Sequence, residues 1–174
     1  MSDSWRQGDL PAGLLGWLLD SGSLTSKLVD CCTDGDFSVR LVSQGWTRPL
    51  RSERAMLGIS KSEVALTRQV LLLCDDVPWV FARTLIPASS FRGKAKRLAY
   101  LKSKPLGAVL FSDPHTVRET MEIARLGKEH LLNQYANTHA DMTETELWGR
   151  RTLFLYAQKP LLVNEIFLPG IPQG

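Results

Sequence analysis

Two apolar runs, residues 63–74 and 78–86, are separated only by Asp75-Asp76-Val77. Two such runs with a short acidic connection specify a β-hairpin. Side chains of a strand alternate between its two faces. One face of the first run carries Val64, Leu66, Arg68, Val70 and Leu72, and one face of the second carries Trp79, Phe81, Arg83 and Leu85. A third run, 161–168, sets Leu161, Val163, Glu165 and Phe167 on one side. Each run therefore places one charge among large apolar neighbours. A buried charge costs several kcal/mol unless something compensates it. Any fold of this chain must supply partners for Arg68, Arg83 and Glu165.

Two arrangements satisfy that demand. One is a structural Arg–Glu pair inside the core. The other is a pocket for an anion. Two arginines against one glutamate leave a surplus positive charge, which favours the second. The planar guanidinium fork fits a carboxylate in bidentate fashion. A ligand with two carboxylates and a hydroxyl would suit all three side chains. Alternation alone does not put the three faces in one cavity, so that site requires Arg83 on the same side of the sheet as Arg68 and Glu165.

The other segments fill in the class. Leu14, Leu15, Trp17, Leu18 and Leu19 have helical spacing within residues 11–20, and Ser23 is placed to cap a second helix running to about Cys32. Residues 37–42 alternate like a strand, 45–58 look irregular, and 116–123 alternate again. Residues 128–146 are polar and partly helical in pattern, and 152–157 with 161–168 form a last hairpin about Gln158-Lys159-Pro160. Short-linked strands with helices gathered near the start predict an α+β fold with an antiparallel sheet. At 174 residues, with no repeat or linker, residues 1–174 read as one domain.

Several function classes lose support. The net charge of +3 is too weak to imply nucleic acid by itself. The basic stretch 92–104 reads as a solvated face that could steer an anion inward. No glycine-rich phosphate loop or nucleophile elbow is present. His115, His130 and His139 lack zinc spacing. The three cysteines, Cys31, Cys32 and Cys74, include no CxxC pair and read as reduced thiols. No apolar run approaches the ~18 residues that span a membrane, and the start has no signal-peptide pattern. A soluble, cytoplasmic protein is the expectation.

Five stretches resemble one known family in the right order. They are Leu66-Thr67-Arg68-Gln69-Val70-Leu71-Leu72-Leu73-Cys74, Pro78-Trp79-Val80-Phe81-Ala82-Arg83-Thr84, Lys104-Pro105-Leu106-Gly107, Trp148-Gly149-Arg150-Arg151, and the run from Pro160 to Pro169. Together they resemble chorismate pyruvate-lyase, from about Leu10 onward. That resemblance implies an α+β domain, with helices packed on one antiparallel sheet and two helical flaps closing an internal ligand pocket. It implies conversion of chorismate to 4-hydroxybenzoate and pyruvate for ubiquinone synthesis, with no cofactor or metal. It implies a monomer whose partners are substrate and product, without nucleic acid or membrane insertion. Arg68 would bind the ring carboxylate, Glu165 the ring hydroxyl, and Arg83 the enolpyruvyl carboxylate. Leu24 and Leu106 would be flap residues against the ring, Leu106 through its backbone. Leu24 departs from the methionine of the family pattern, an apolar exchange of similar volume. Residues 128–146 are longer than that pattern.

A different class shares the fold. Effector domains of certain bacterial transcription regulators would bind a small anion without turnover. Only about sixty residues precede the hairpin here, and they contain no helix-turn-helix with a basic recognition helix. Another chorismate-type substrate, or a different hydroxybenzoate product, is a further alternative.

Overall fold

A computed structural model describes residues 9–174. The strands are β1 (Phe37–Thr47), β2 (Ala65–Cys74), β3 (Val77–Pro87), β4 (Val117–Gly127), β5 (Glu146–Tyr156) and β6 (Lys159–Phe167). They form one antiparallel sheet in the order β1-β2-β3-β6-β5-β4. Asp75 and Asp76 turn the central hairpin with φ of 49° and 63°. That left-handed region is one aspartate tolerates better than most residues.

Among the described residues, five α-helices lie on the sheet: α1 (Leu15–Leu18), α2 (Leu24–Cys31), α3 (Arg51–Leu57), α4 (Leu106–Ser112) and α5 (Leu131–Ala140). The Ser23 hydroxyl caps α2 by accepting from the Ser26 amide at 3.3 Å. The basic stretch folds into a 3-10 turn at Gly93–Tyr100. It buries Ala95 and Leu98 and leaves Arg92, Lys96 and Arg97 exposed, as a solvated face should.

Residues opposite each other in the ladder share a face. Arg68 lies opposite Thr84, Thr84 opposite Val163, and Val163 opposite Thr152. Val70, Ala82, Glu165 and Arg150 form the next row on that first face, whereas Gln69, Arg83, Asn164 and Arg151 form a row on the second. Leucines of α2 and α4, with Trp17 and Leu18 of α1, pack on the first face. Helices α3 and α5 cover the second through Leu57, Leu132 and Ala136.

Three expectations need correction. Residues 45–58 are not irregular: β1 continues to Thr47 and α3 follows. The pairing slips between Leu41 and Ser43, so Val42 interrupts the alternation that would reveal a longer strand. The face read as Trp79, Phe81, Arg83 and Leu85 also breaks. Trp79 packs with the first-face core and Phe81 with the second, because β3 slips by one residue at Trp79. The cysteines are not all reduced. Cys32, just after α2, forms a disulfide with Cys74 at the end of β2, with 5.8 Å between Cα atoms. Cys31 remains free and exposed.

Candidate functional site

Arg68 is 2% exposed in the middle of β2. Its Nη1 donates to the Lys102 carbonyl at 2.7 Å and its Nη2 to the Lys104 carbonyl at 2.8 Å. Among the described residues no carboxylate lies within 4.0 Å of it. Burial pulls its pKa below the ordinary arginine value. Carbonyl dipoles satisfy its N–H groups but do not neutralise its charge. It is a buried surplus cation.

Glu165 sits in the neighbouring row of the same face. Arg150 of β5 lies opposite and donates from Nε to Oε2 at 2.5 Å. Arg150 Nη1 also donates to the Trp17 and Asp20 carbonyls, at 2.9 and 2.5 Å. This clamps the end of α1 to the carboxylate. Sequence reasoning gave Arg150 no role. Its signal is alternation back along β5 from Phe154 through Thr152, but only the β5–β6 register shows that it meets Glu165.

Between these charges lies a cavity of about 60 Å³. Arg68, Thr84 and Glu165 supply its polar wall; Leu24 of α2 and Leu106 of α4 close the opposite side. Its volume corresponds to about two waters. A ring-sized ligand needs more room than that, which parting α2 from α4 would supply. They are closely apposed here, since a Cβ on Gly107 would stand 3.1 Å from the Thr25 Oγ1.

Arg83 is not part of this cavity. On the second face its Nε and Nη2 donate to the Glu53 carboxylate of α3 at 2.9 and 3.2 Å, and its Nη1 donates to Gln69 Oε1 at 3.2 Å. Tyr135 of α5 covers the guanidinium at 5.3 Å. The expected three-charge site therefore loses Arg83, which has a carboxylate of its own. Glu53 escaped notice because its segment read as irregular.

A larger cavity, about 650 Å³, wraps the outer edge of β4 and draws walls from both faces. Its arginines Arg125, Arg150 and Arg151 are already paired, with Glu146, Glu165 and Glu122, so it lacks the surplus cation of the smaller one. Among the described residues no group of three His, Cys, Asp or Glu side chains could hold a metal ion, and no helix is long and apolar enough to cross a membrane.

A sequence model described as Chorismate lyase matches residues 4–173. A protein named probable chorismate pyruvate-lyase in Shewanella sp. (strain MR-4) is 42% identical over 167 residues, covering 95% of this chain and 84% of the relative. One of the same name in Thiobacillus denitrificans is 39% identical, over 92% of this chain and 85% of its own. Among solved structures, the effector domain of PhnF from Mycobacterium smegmatis superposes with a TM-score of 0.59 at 16% identity, covering 87% of this chain and 91% of that one. A GntR-family transcriptional regulator from Enterococcus faecalis V583 gives 0.53 at 15% identity, covering 78% and 91%. Likeness at that identity speaks for the fold alone.

Proposed function

The chain belongs to the chorismate lyase family, and from that premise we propose that it eliminates pyruvate from chorismate to give 4-hydroxybenzoate for ubiquinone synthesis. The observation that carries this reading is the buried, uncompensated Arg68 facing the same cavity as Glu165. A ring with a carboxylate at one end and a hydroxyl at the other matches that pair. Arg68 gives up its two carbonyl bonds to the incoming carboxylate. Glu165, held by Arg150, accepts the hydroxyl proton in a hydrogen bond. Helices α2 and α4 act as flaps, with Leu24 and Leu106 against the ring and the Leu106 backbone within reach of it.

The ring of chorismate is one elimination from aromaticity. The carbon bearing the hydroxyl loses its hydrogen and the neighbouring C–O bond breaks. The enolpyruvyl fragment leaves and becomes pyruvate by taking a proton on its methylene carbon. The driving force is internal to the substrate. The protein therefore has to align the reacting groups, exclude water and stabilise charge on the departing oxygen. A cavity between the sheet and two helices, with fixed charges in its wall, would do this without a cofactor or metal. Closed flaps also make product release slow. The chain would work as a monomer in the cytoplasm.

The test is incubation with chorismate, with pyruvate followed by a coupled assay and the aromatic product identified by mass and ultraviolet spectrum. Pyruvate and 4-hydroxybenzoate in equal amounts are expected, and Arg68→Ala should nearly abolish both. Chorismate bound without turnover would instead make the domain an anion sensor. Unchanged turnover in Arg68→Ala would remove Arg68 from the site.

A further inference from the structure

With Arg83 committed to Glu53, the charges around the cavity no longer balance a dianion. Arg68 contributes one positive charge, and the Arg150–Glu165 pair sums to zero. A substrate with two carboxylates would leave one negative charge unmatched in a buried site, which is costly. One more cation is required, and its position is constrained. The enolpyruvyl branch leaves the ring beside the hydroxyl-bearing carbon, at the end held by Glu165 and away from Arg68.

We propose that Arg118 of β4 receives the enolpyruvyl carboxylate and so sets the preference for the dicarboxylate substrate, a proposal that rests on the lyase reading above. The Arg118 guanidinium carbon lies 5.6 Å from the Phe111 ring and 5.4 Å from the Phe154 ring. Both rings line the cavity. β4 slips by one residue at Glu119, which puts Arg118 opposite Phe154 on the first face. Its Nη2 reaches the Gly22 carbonyl in the α1–α2 turn at 3.4 Å, and its Nη1 reaches the Met121 sulfur at 3.9 Å. Both contacts are long and easily exchanged for a carboxylate. Among the described residues no carboxylate lies within 4.0 Å of this guanidinium.

Its electrical surroundings fit the location. Partial burial, then repulsion from Arg150, lowers the Arg118 pKa, while Glu165 and Asp20 act in the opposite direction. Arg118 thus feels the charges at the Glu165 end of the cavity. It also touches both flap regions, through Phe111 of α4 and the turn before α2. A carboxylate drawn to it would close that junction over the substrate. Once the ether bond breaks, pyruvate departs at a half-buried rim while the aromatic product stays inside.

The test compares a dicarboxylate with a monocarboxylate. In Arg118→Gln, kcat/KM for chorismate should fall by about 10–100-fold, the range for losing a charge-assisted hydrogen bond. Inhibition by 4-hydroxybenzoate, which lacks the second carboxylate, should change by less than about threefold. Arg118→Lys should recover part of the loss. Direct titration of both ligands carries the same expectation for binding, so it stands even if wild-type protein releases no pyruvate, an outcome that would sink the lyase reading instead. Unchanged chorismate parameters would overturn the assignment. Equal weakening of chorismate and 4-hydroxybenzoate would overturn it too, because that pattern means a general disturbance of the pocket.

Discussion

Replacing Glu53 with alanine separates a structural arginine from a catalytic one. The Glu53 side chain is fully buried. It accepts from Arg83 at 2.9 and 3.2 Å, from Asn164 Nδ2 at 3.1 Å and from the Leu50 amide at 2.8 Å. Alanine would leave the Arg83 side chain, itself 6% exposed, with its guanidinium held only by Gln69 and the Tyr135 ring. Breaking a buried ion pair from one side costs about 3–5 kcal/mol. The lost bond to the Leu50 amide, the first amide ahead of α3, adds about 1 kcal/mol. The sum is about 4–6 kcal/mol, against the roughly 5–15 kcal/mol that holds a whole domain together.

Urea denaturation should therefore show Glu53→Ala close to unfolded at room temperature. The double replacement Glu53→Met with Arg83→Met removes both charges and fills the space. Its stability should return to within about 2 kcal/mol of wild type, since buried pairs often give way to apolar residues at little cost. Its kcat/KM for chorismate, per folded molecule, should stay within about threefold. If the double variant folds normally but loses activity by about a thousandfold (some 4 kcal/mol of transition-state binding), Arg83 touches substrate and the assignment to the second face is wrong. If Glu53→Ala costs under about 1 kcal/mol, the pair is not a buried one.

Three further outcomes follow from the geometry. The Cys32–Cys74 bond closes a loop across 42 residues, which corresponds to about 4 kcal/mol in the chain-entropy account. Dithiothreitol, or Cys32→Ser with Cys74→Ser, should lower the thermal midpoint, and no shift would show that the bond is open in solution. His130 Nδ1 accepts from the Leu132 amide at the start of α5, and partial burial followed by Arg151 lowers its pKa from 6.5. The unfolded chain then binds a proton more readily, so this site's stability is present above about 6.5 and is lost as pH falls through that value towards the lowered folded one. His130→Asn, which keeps an acceptor, should flatten the pH dependence of the urea midpoint; an unchanged slope would clear His130. A Cβ on Gly149 would stand 2.9 Å from the Glu165 carbonyl oxygen, so Gly149→Ala should push β5 off β6, cost about 1–3 kcal/mol and weaken chorismate turnover by disturbing the adjacent Arg150–Glu165 pair. A variant with wild-type melting and kinetics would show that the strands give way freely there.

The sheet and two of its inward charges were legible because the central and last hairpins carry long apolar runs that tolerate no other reading. Arg68 and Glu165 needed only alternation within single strands. What stayed hidden depends on one-residue slips. The hairpin starts in register at Cys74 opposite Val77 and Leu73 opposite Pro78. Had that register continued, Arg68 would have stood opposite Arg83, two like charges on one face, which a sheet disfavours. Trp79 is the extra residue that moves the pairing by one, so Arg68 meets Thr84 and Arg83 turns to the other side. A slip of one residue exchanges the faces of everything beyond it. Glu119 does the reverse on β4: alternation sets Arg118 against Met121 and Ile123, and the bulge returns it to their face beside Phe154. The same device therefore takes one arginine out of the cavity wall and brings another beside Phe111 and Phe154, two rings that line it. No pattern of hydrophobicity announces it, because a bulge shows only as a skipped beat in alternation, and Val42 in β1 shows how easily that passes for the end of a strand.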